Sequence, residues 1–132
     1  MRYLILCLLV PLSLFAQDSP QYRACTNKAQ AQMQLNQCAG EEAVRVDAEL
    51  NVIYRKLLDA AASDTGAIGK IKAMQRTWLS YRDAYIEAMY PAKDKQAEYG
   101  SIYPMDVALL NAKLTRRQIN ALKELLHAYQ SD

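Results

Sequence analysis

Gln75-Arg76-Thr77-Trp78-Leu79-Ser80-Tyr81-Arg82-Asp83-Ala84 is the stretch that decides how this chain folds. Trp78, Tyr81 and Tyr85 continue a three- and four-residue spacing that starts at Ile71 and Met74, the period of a helix with one apolar face. Arg82 stands one turn beyond Trp78, beside that face. A charge bordering an apolar seam is costly unless it is paired, so the segment predicts a helix and also a partner for that helix elsewhere in the chain.

Upstream, Val46, Leu50, Ile53, Leu57 and Ala60 repeat with the same period and predict a helix from about Glu41 to Ala62, with Glu41 and Glu42 placed favourably in its first turn. Asp47, Asn51, Tyr54 and Leu58 form a row on the shoulder of that stripe. Antiparallel packing of these two helices would carry the Arg82 guanidinium to Asp47 or Asn51. The expected structural polar cluster is therefore Asp47, Asn51, Tyr54, Trp78, Arg82 and Asp83.

Working outward, a short helix is expected from about Thr26 to Gln37, capped by Thr26 or Asn27 and bracketed by Cys25 and Cys38. Ser63-Asp64-Thr65-Gly66 interrupts the pattern before the Trp78 helix, which runs to about Tyr90 with Ile71, Met74, Trp78, Tyr81, Tyr85 and Ala88 inward. Pro91 to Tyr103 reads as the longest irregular segment, because Pro91 and Gly100 discourage one helix through it, and it is the natural place for a functional loop. Met105, Ala108, Ala112, Thr115, Ile119, Leu122, Leu126 and Tyr129 then keep helical phase without a jump. One long helix from about Pro104, acceptable at a first helical position, accounts for them better than a split at Thr115. The fold class is all-α, a small bundle of about four helices, one short and three long, with one disulfide.

The beginning of the chain carries its own message. Met1-Arg2-Tyr3 supplies one charge, Leu4 to Phe15 is an almost unbroken apolar run, and Ala16 precedes the polar Gln17-Asp18-Ser19. This reads as a secretory signal peptide over residues 1–16, too short for a spanning helix of roughly 20 apolar residues. Cys7 is removed with it. The mature domain, residues 17–132, would be periplasmic or secreted, without stable membrane insertion after cleavage. Two cysteines remain, Cys25 and Cys38, and an even count outside the cytosol predicts a disulfide.

Losing Arg2 leaves 15 basic against 14 acidic residues. The mature charge is near neutral and no basic stripe marks a nucleic-acid surface. The one Phe, Phe15, falls in the leader, so the mature aromatics are Trp78 and tyrosines, polar-tipped rings that suit interfaces as well as cores. Tyr90, Lys93, Lys95, Tyr99 and Tyr103 make the Pro91 to Tyr103 region the candidate partner-binding loop.

Catalysis leaves a constellation of nucleophile, base and charge-stabilising groups, yet the single histidine, His127, lies near the end of the last helix. No metal-ligand motif or cofactor motif is present. Asp83 and Glu87, four apart on one helix, could share a face and serve an enzyme acting on cell-wall fragments, but a carboxylate pair on a helix is far more often surface charge.

The chain resembles the lysozyme-inhibitor LprI-like family of small secreted helical domains. The resemblance runs through Cys25, Met33-x-x-Asn36-x-Cys38-Ala39, Asp47-x-Glu49-Leu50-Asn51-x-x-Tyr54, Gln75-Arg76-x-Trp78-Leu79-x-Tyr81-Arg82-Asp83-Ala84, Gly100-Ser101-Ile102-Tyr103-Pro104-Met105 and Leu114-Thr115. It implies a helical domain whose partner is a protein, a lysozyme-like muramidase. The family commonly has a second cysteine pair where this chain has Tyr85 and an apolar position near Leu109 or Leu110, which predicts looser tethering of the Pro91 to Tyr103 loop. The competing expectation is a non-inhibitory envelope module that docks or assembles with another protein.

Overall fold

Two long helices that run in the same direction carry most of the core. The computed structural model describes residues 18–131, so the expected leader at residues 1–16 lies outside the described residues. Within them the order is α1 (Pro20–Thr26), α2 (Gln32–Ala60), α3 (Thr65–Met89), α4 (Lys95–Tyr99), a 3₁₀ turn (Gly100–Ile102) and α5 (Tyr103–Gln130). Three long helices and two short ones make the all-α bundle that the periodicity predicts.

The direction of α5 follows from its bonds to α2. Glu42 pairs with Arg116 and Glu49 with Lys123, so residue numbers rise together along both helices and the pair is parallel. Ala39 and Ala112, both completely buried, leave room for α2 and α5 to pack closely. Val46, Leu50, Ile53 and Leu57 of α2 interleave with Ile119, Leu122 and Leu126 of α5, and Ile71 of α3 closes the same cluster. A smaller cluster of Tyr22, Cys38 and Ala39, with Met105, Ala108 and Leu109 against it, seats α1.

Local chemistry explains the helix starts. The Ser19 hydroxyl accepts from Tyr22 N at 3.0 Å and caps α1, with Pro20 in its first turn. Asp64 and Asp94 cap α3 and α4 by accepting from Ala67 N and Ala97 N, the bonds expected of Asp before a helix. Gly100 takes φ +70°, the left-handed region where glycine alone is free of strain, and lets the chain turn from α4 into the 3₁₀ segment.

Besides Pro91 to Tyr103, expected to be irregular but folded into a helix at Lys95–Tyr99 and a 3₁₀ turn at Gly100–Ile102, two expectations about the elements need correction. No helix spans Thr26 to Gln37: Thr26 ends α1, its hydroxyl donating to Arg23 O, and α2 begins at Gln32, nine residues ahead of the expected start at Glu41. The Gln34 side chain accepts from Gln30 N and Ala31 N to open it. Gly40 does not break the helix, because glycine in a helix interior costs only about 1 kcal/mol and the burial of Cys38, Ala39 and Glu42 around it outweighs that. Cys25 and Cys38 thus join two antiparallel helices instead of bracketing one, with S–S contact and Cα atoms 5.7 Å apart.

The second correction concerns α3. Ile71 is buried, and Trp78 and Tyr85 are half-buried, but Met74, Tyr81 and Ala88 are exposed, Tyr81 at 54 %. The tight α2–α5 pair supplies the core, so the far half of α3 leans on it through the Trp78 ring and the polar contacts of Arg82 and not through a continuous apolar face. The last segment matches its reading: α5 is one helix, and Thr115 lies buried inside it with its hydroxyl on Asn111 Oδ1 at 3.2 Å.

Candidate functional site

The polar contact that seats α3 centres on Arg82. Its guanidinium lies 5.1 Å from the Trp78 ring centroid, and it donates to Asp47 Oδ1 and Asp83 Oδ1, each at 3.3 Å. Antiparallel α2 and α3 bring these groups together, as the matching phases require. Tyr54 packs its ring against the main core. Asn51 does not join the cluster: it is exposed and makes no hydrogen bond among the described residues, standing instead on the wall of a groove between α2 and α3.

The strongest buried polar site is elsewhere and was not anticipated. Glu42 is 1 % exposed, placed on the core stripe of α2 one turn before Val46. Its carboxylate accepts from the Ser19 hydroxyl at 2.5 Å, from Arg45 at 2.8 Å and from Arg116 of α5. Burial pushes the Glu42 pKa up, but hydrogen bonds from Ser19 and Arg45 and the Arg116 charge outweigh it, so the net shift is downward. This site ties α1, α2 and α5 at one point. Gln75 and Gln118 form a second buried link, amide to amide at 3.0 Å between α3 and α5.

At the other end of α3 the segment after Met89 is folded back by its own side chains. Tyr90, Tyr99 and Tyr103 pack as a three-ring cluster with centroids 5.2 to 5.6 Å apart. Tyr99 Oη accepts from Ala92 N at 3.1 Å. Lys95 reaches back to Glu87 Oε2 at 2.8 Å and to the Tyr90 carbonyl. Burial, then the nearby Asp106 charge, raises the Tyr90 pKa; the bond to Glu87 raises that of Lys95. The looser tethering expected from a missing cysteine pair has a substitute in these rings.

The cluster presses the segment against the start of α2. Asn36 Nδ2 donates to Ser101 O at 2.9 Å, and Gln32 reaches the Met105 sulfur at 3.8 Å. The resulting end of the bundle exposes Met33 at 78 % and Ile102 at 42 %. Lys93 is exposed and makes no ion pair among the described residues. Met33 and Ile102 were not among the expected contact residues, since a single apolar residue in a helix start or a turn gives no periodic signal.

Of the chemistry considered for catalysis, Asp83 is bound to Arg82 and Glu87 to Lys95, both on the open surface. Among the described residues no group of three or more His, Cys, Asp or Glu is placed to hold a metal ion. No described helix is long and apolar enough to cross a membrane.

Comparison with known proteins places this architecture. The family model described as lysozyme inhibitor LprI matches residues 25–122, which takes in Cys25, Cys38, α2, α3 and α5 as far as Leu122. An uncharacterized protein of Rhizobium meliloti (strain 1021) is 35 % identical over 139 residues, covering 97 % of this chain and 94 % of its own length. No solved structure matches. The chain belongs to the LprI lysozyme-inhibitor family.

Proposed function

We propose that this protein is a periplasmic or secreted inhibitor that binds a lysozyme-type muramidase and blocks its cleft. The family match over residues 25–122 carries the reading. The surface best suited to the contact is the bundle end built from Tyr90 to Tyr103 and the first turns of α2. A segment already held in shape loses little freedom on binding, and the three-ring cluster and the Lys95 bonds hold this one. Met33 and Ile102 offer apolar contact, and Lys93 offers an unpaired cation to a cleft that works through carboxylates.

The test is titration into a turbidity assay of muramidase activity on cell walls. Inhibition saturating at micromolar protein is expected. Full activity at micromolar excess across several lysozyme types overturns the reading.

A second reading, a non-inhibitory envelope module, is favoured by the exposed flank of α3, where Met74, Leu79 and Tyr81 meet solvent. Co-purification from envelope extracts separates the two, because the first expects a wall hydrolase in the complex.

A further inference from the structure

A groove of about 290 Å³ lies between α2 and α3, well away from the Tyr90 to Tyr103 end. Asn51 on its wall is about 22 Å along α2 from Asn36, taking 1.5 Å per residue. All its lining residues except Lys72 fall in two motif stretches, 47–54 and 75–84, that carry the family resemblance. Some of these residues serve the fold: Leu50 is core, and Gln75 bonds Gln118. Asn51 and Arg76 do not. Both are exposed, and neither side chain bonds anything among the described residues.

The groove carries a net positive charge. Lys72 and Arg76 stand four apart on α3, so they share a face and repel. The carboxylate on the opposite wall, Asp47, is already bonded to Arg82 at 3.3 Å. Neither Lys72 nor Arg76 makes an ion pair among the described residues, and Asp47 is the one acidic residue lining the groove, so cations outnumber carboxylates there two to one. An arginine fork suits a carboxylate bidentately, a primary amide both donates to and accepts from a peptide backbone, and Leu50 and Leu79 give the groove an apolar floor.

We infer that this groove binds a short acidic peptide, with Arg76 and Lys72 holding its carboxylates, Asn51 its backbone, and an aliphatic side chain resting on Leu79. The site is independent of the muramidase reading.

The experiment is a nuclear magnetic resonance titration of the purified, naturally processed protein with acetyl-Glu-Leu-Glu-amide and, separately, acetyl-Gln-Leu-Gln-amide. Saturable shifts at Asn51, Tyr54, Lys72 and Arg76 are expected with the acidic peptide, and binding about tenfold weaker with the neutral one. Arg76→Gln is expected to weaken acidic-peptide binding about tenfold without moving the melting temperature, since Arg76 makes no internal bond, while Lys113→Gln on α5 leaves binding unchanged. Equal binding of the two peptides, no saturation up to roughly 5 mM, or equal effects of Arg76→Gln and Lys113→Gln overturns the inference.

Discussion

Arg116 on α5 donates into the buried carboxylate of Glu42 on α2, and that bond joins the two parallel helices at the level where the Ser19 cap of α1 also lands. Removing one partner of a buried ion pair costs about 3–5 kcal/mol because the other is left uncompensated. Arg45 and Ser19 still hold Glu42 after Arg116→Ala, so about 2–3 kcal/mol is expected. Equilibrium urea unfolding measures it, and a cost below that of an exposed pair, about 1 kcal/mol, would contradict the assignment.

Glu42 also sets a pH dependence. Its folded pKa lies below the ordinary value of 4.5, so the unfolded chain takes up the proton first on acidification. The stabilisation is complete above pH 4.5 and fades as pH falls through the folded value. A Glu42→Gln variant is expected to be less stable near neutrality and to show a flatter stability profile below pH 4.5. Parallel profiles would mean that other carboxylates carry the acid sensitivity.

Arg82 and Asp47 are expected to couple weakly. Their side chains are 15 % and 50 % exposed, and exposed pairs give about 0.2–1 kcal/mol in double-mutant cycles. Trp78→Ala is expected to cost more, about 2 kcal/mol, below the range of about 3–5 for a fully buried ring. If the ion pair proves stronger than the ring, α3 is held by charge and the packing account fails.

Cys25 and Cys38 are separated by 13 positions. Closing a loop of that size stabilises by about 3 kcal/mol in the chain-entropy treatment. Replacing both cysteines with alanine should lower the urea midpoint accordingly. Two reactive thiols in the folded wild-type protein would remove the bridge altogether.

Tyr99→Ala takes away two ring contacts and the acceptor for Ala92 N. About 1 kcal/mol of global stability is expected to go, but the clearer readout is local. Tryptic cleavage after Lys93 and Lys95 should rise severalfold, and unchanged cleavage would show that the rings do not order the segment.

Helices α3 and α5 were legible in the sequence because each has an Asp or Pro at its start and an unbroken apolar period. The cysteine pair was legible from the even count left outside the expected leader. The start of α2 was not: Gly40 looks like a break on local propensity, and only the packing of Cys38 and Ala39 overrides it. Glu42 stood in the core phase of α2, four before Val46, which was the signal available for its burial. Its position in a first turn gave it an adequate surface role instead. The exposed flank of α3 was illegible for another reason, since periodicity marks an apolar face but not whether a second helix arrives to cover it. Asn51 shows the same limit for a polar row.

The parallel course of α2 and α5 has a kinetic consequence. Glu42 and Arg116 are 74 positions apart, and Leu50 shares one core cluster with Leu122 and Ile119 across a comparable span. An up-and-down bundle can zip from hairpin to hairpin, whereas here the principal core forms only after α3 has carried the chain back and α5 has been delivered. Closing so large a loop before any reward slows folding relative to other helical domains of this size. The disulfide, confined to α1 and α2, shortens none of that search. Until its last helix arrives, the core face of α2 lacks the side chains of Ile119, Leu122 and Leu126 that cover it.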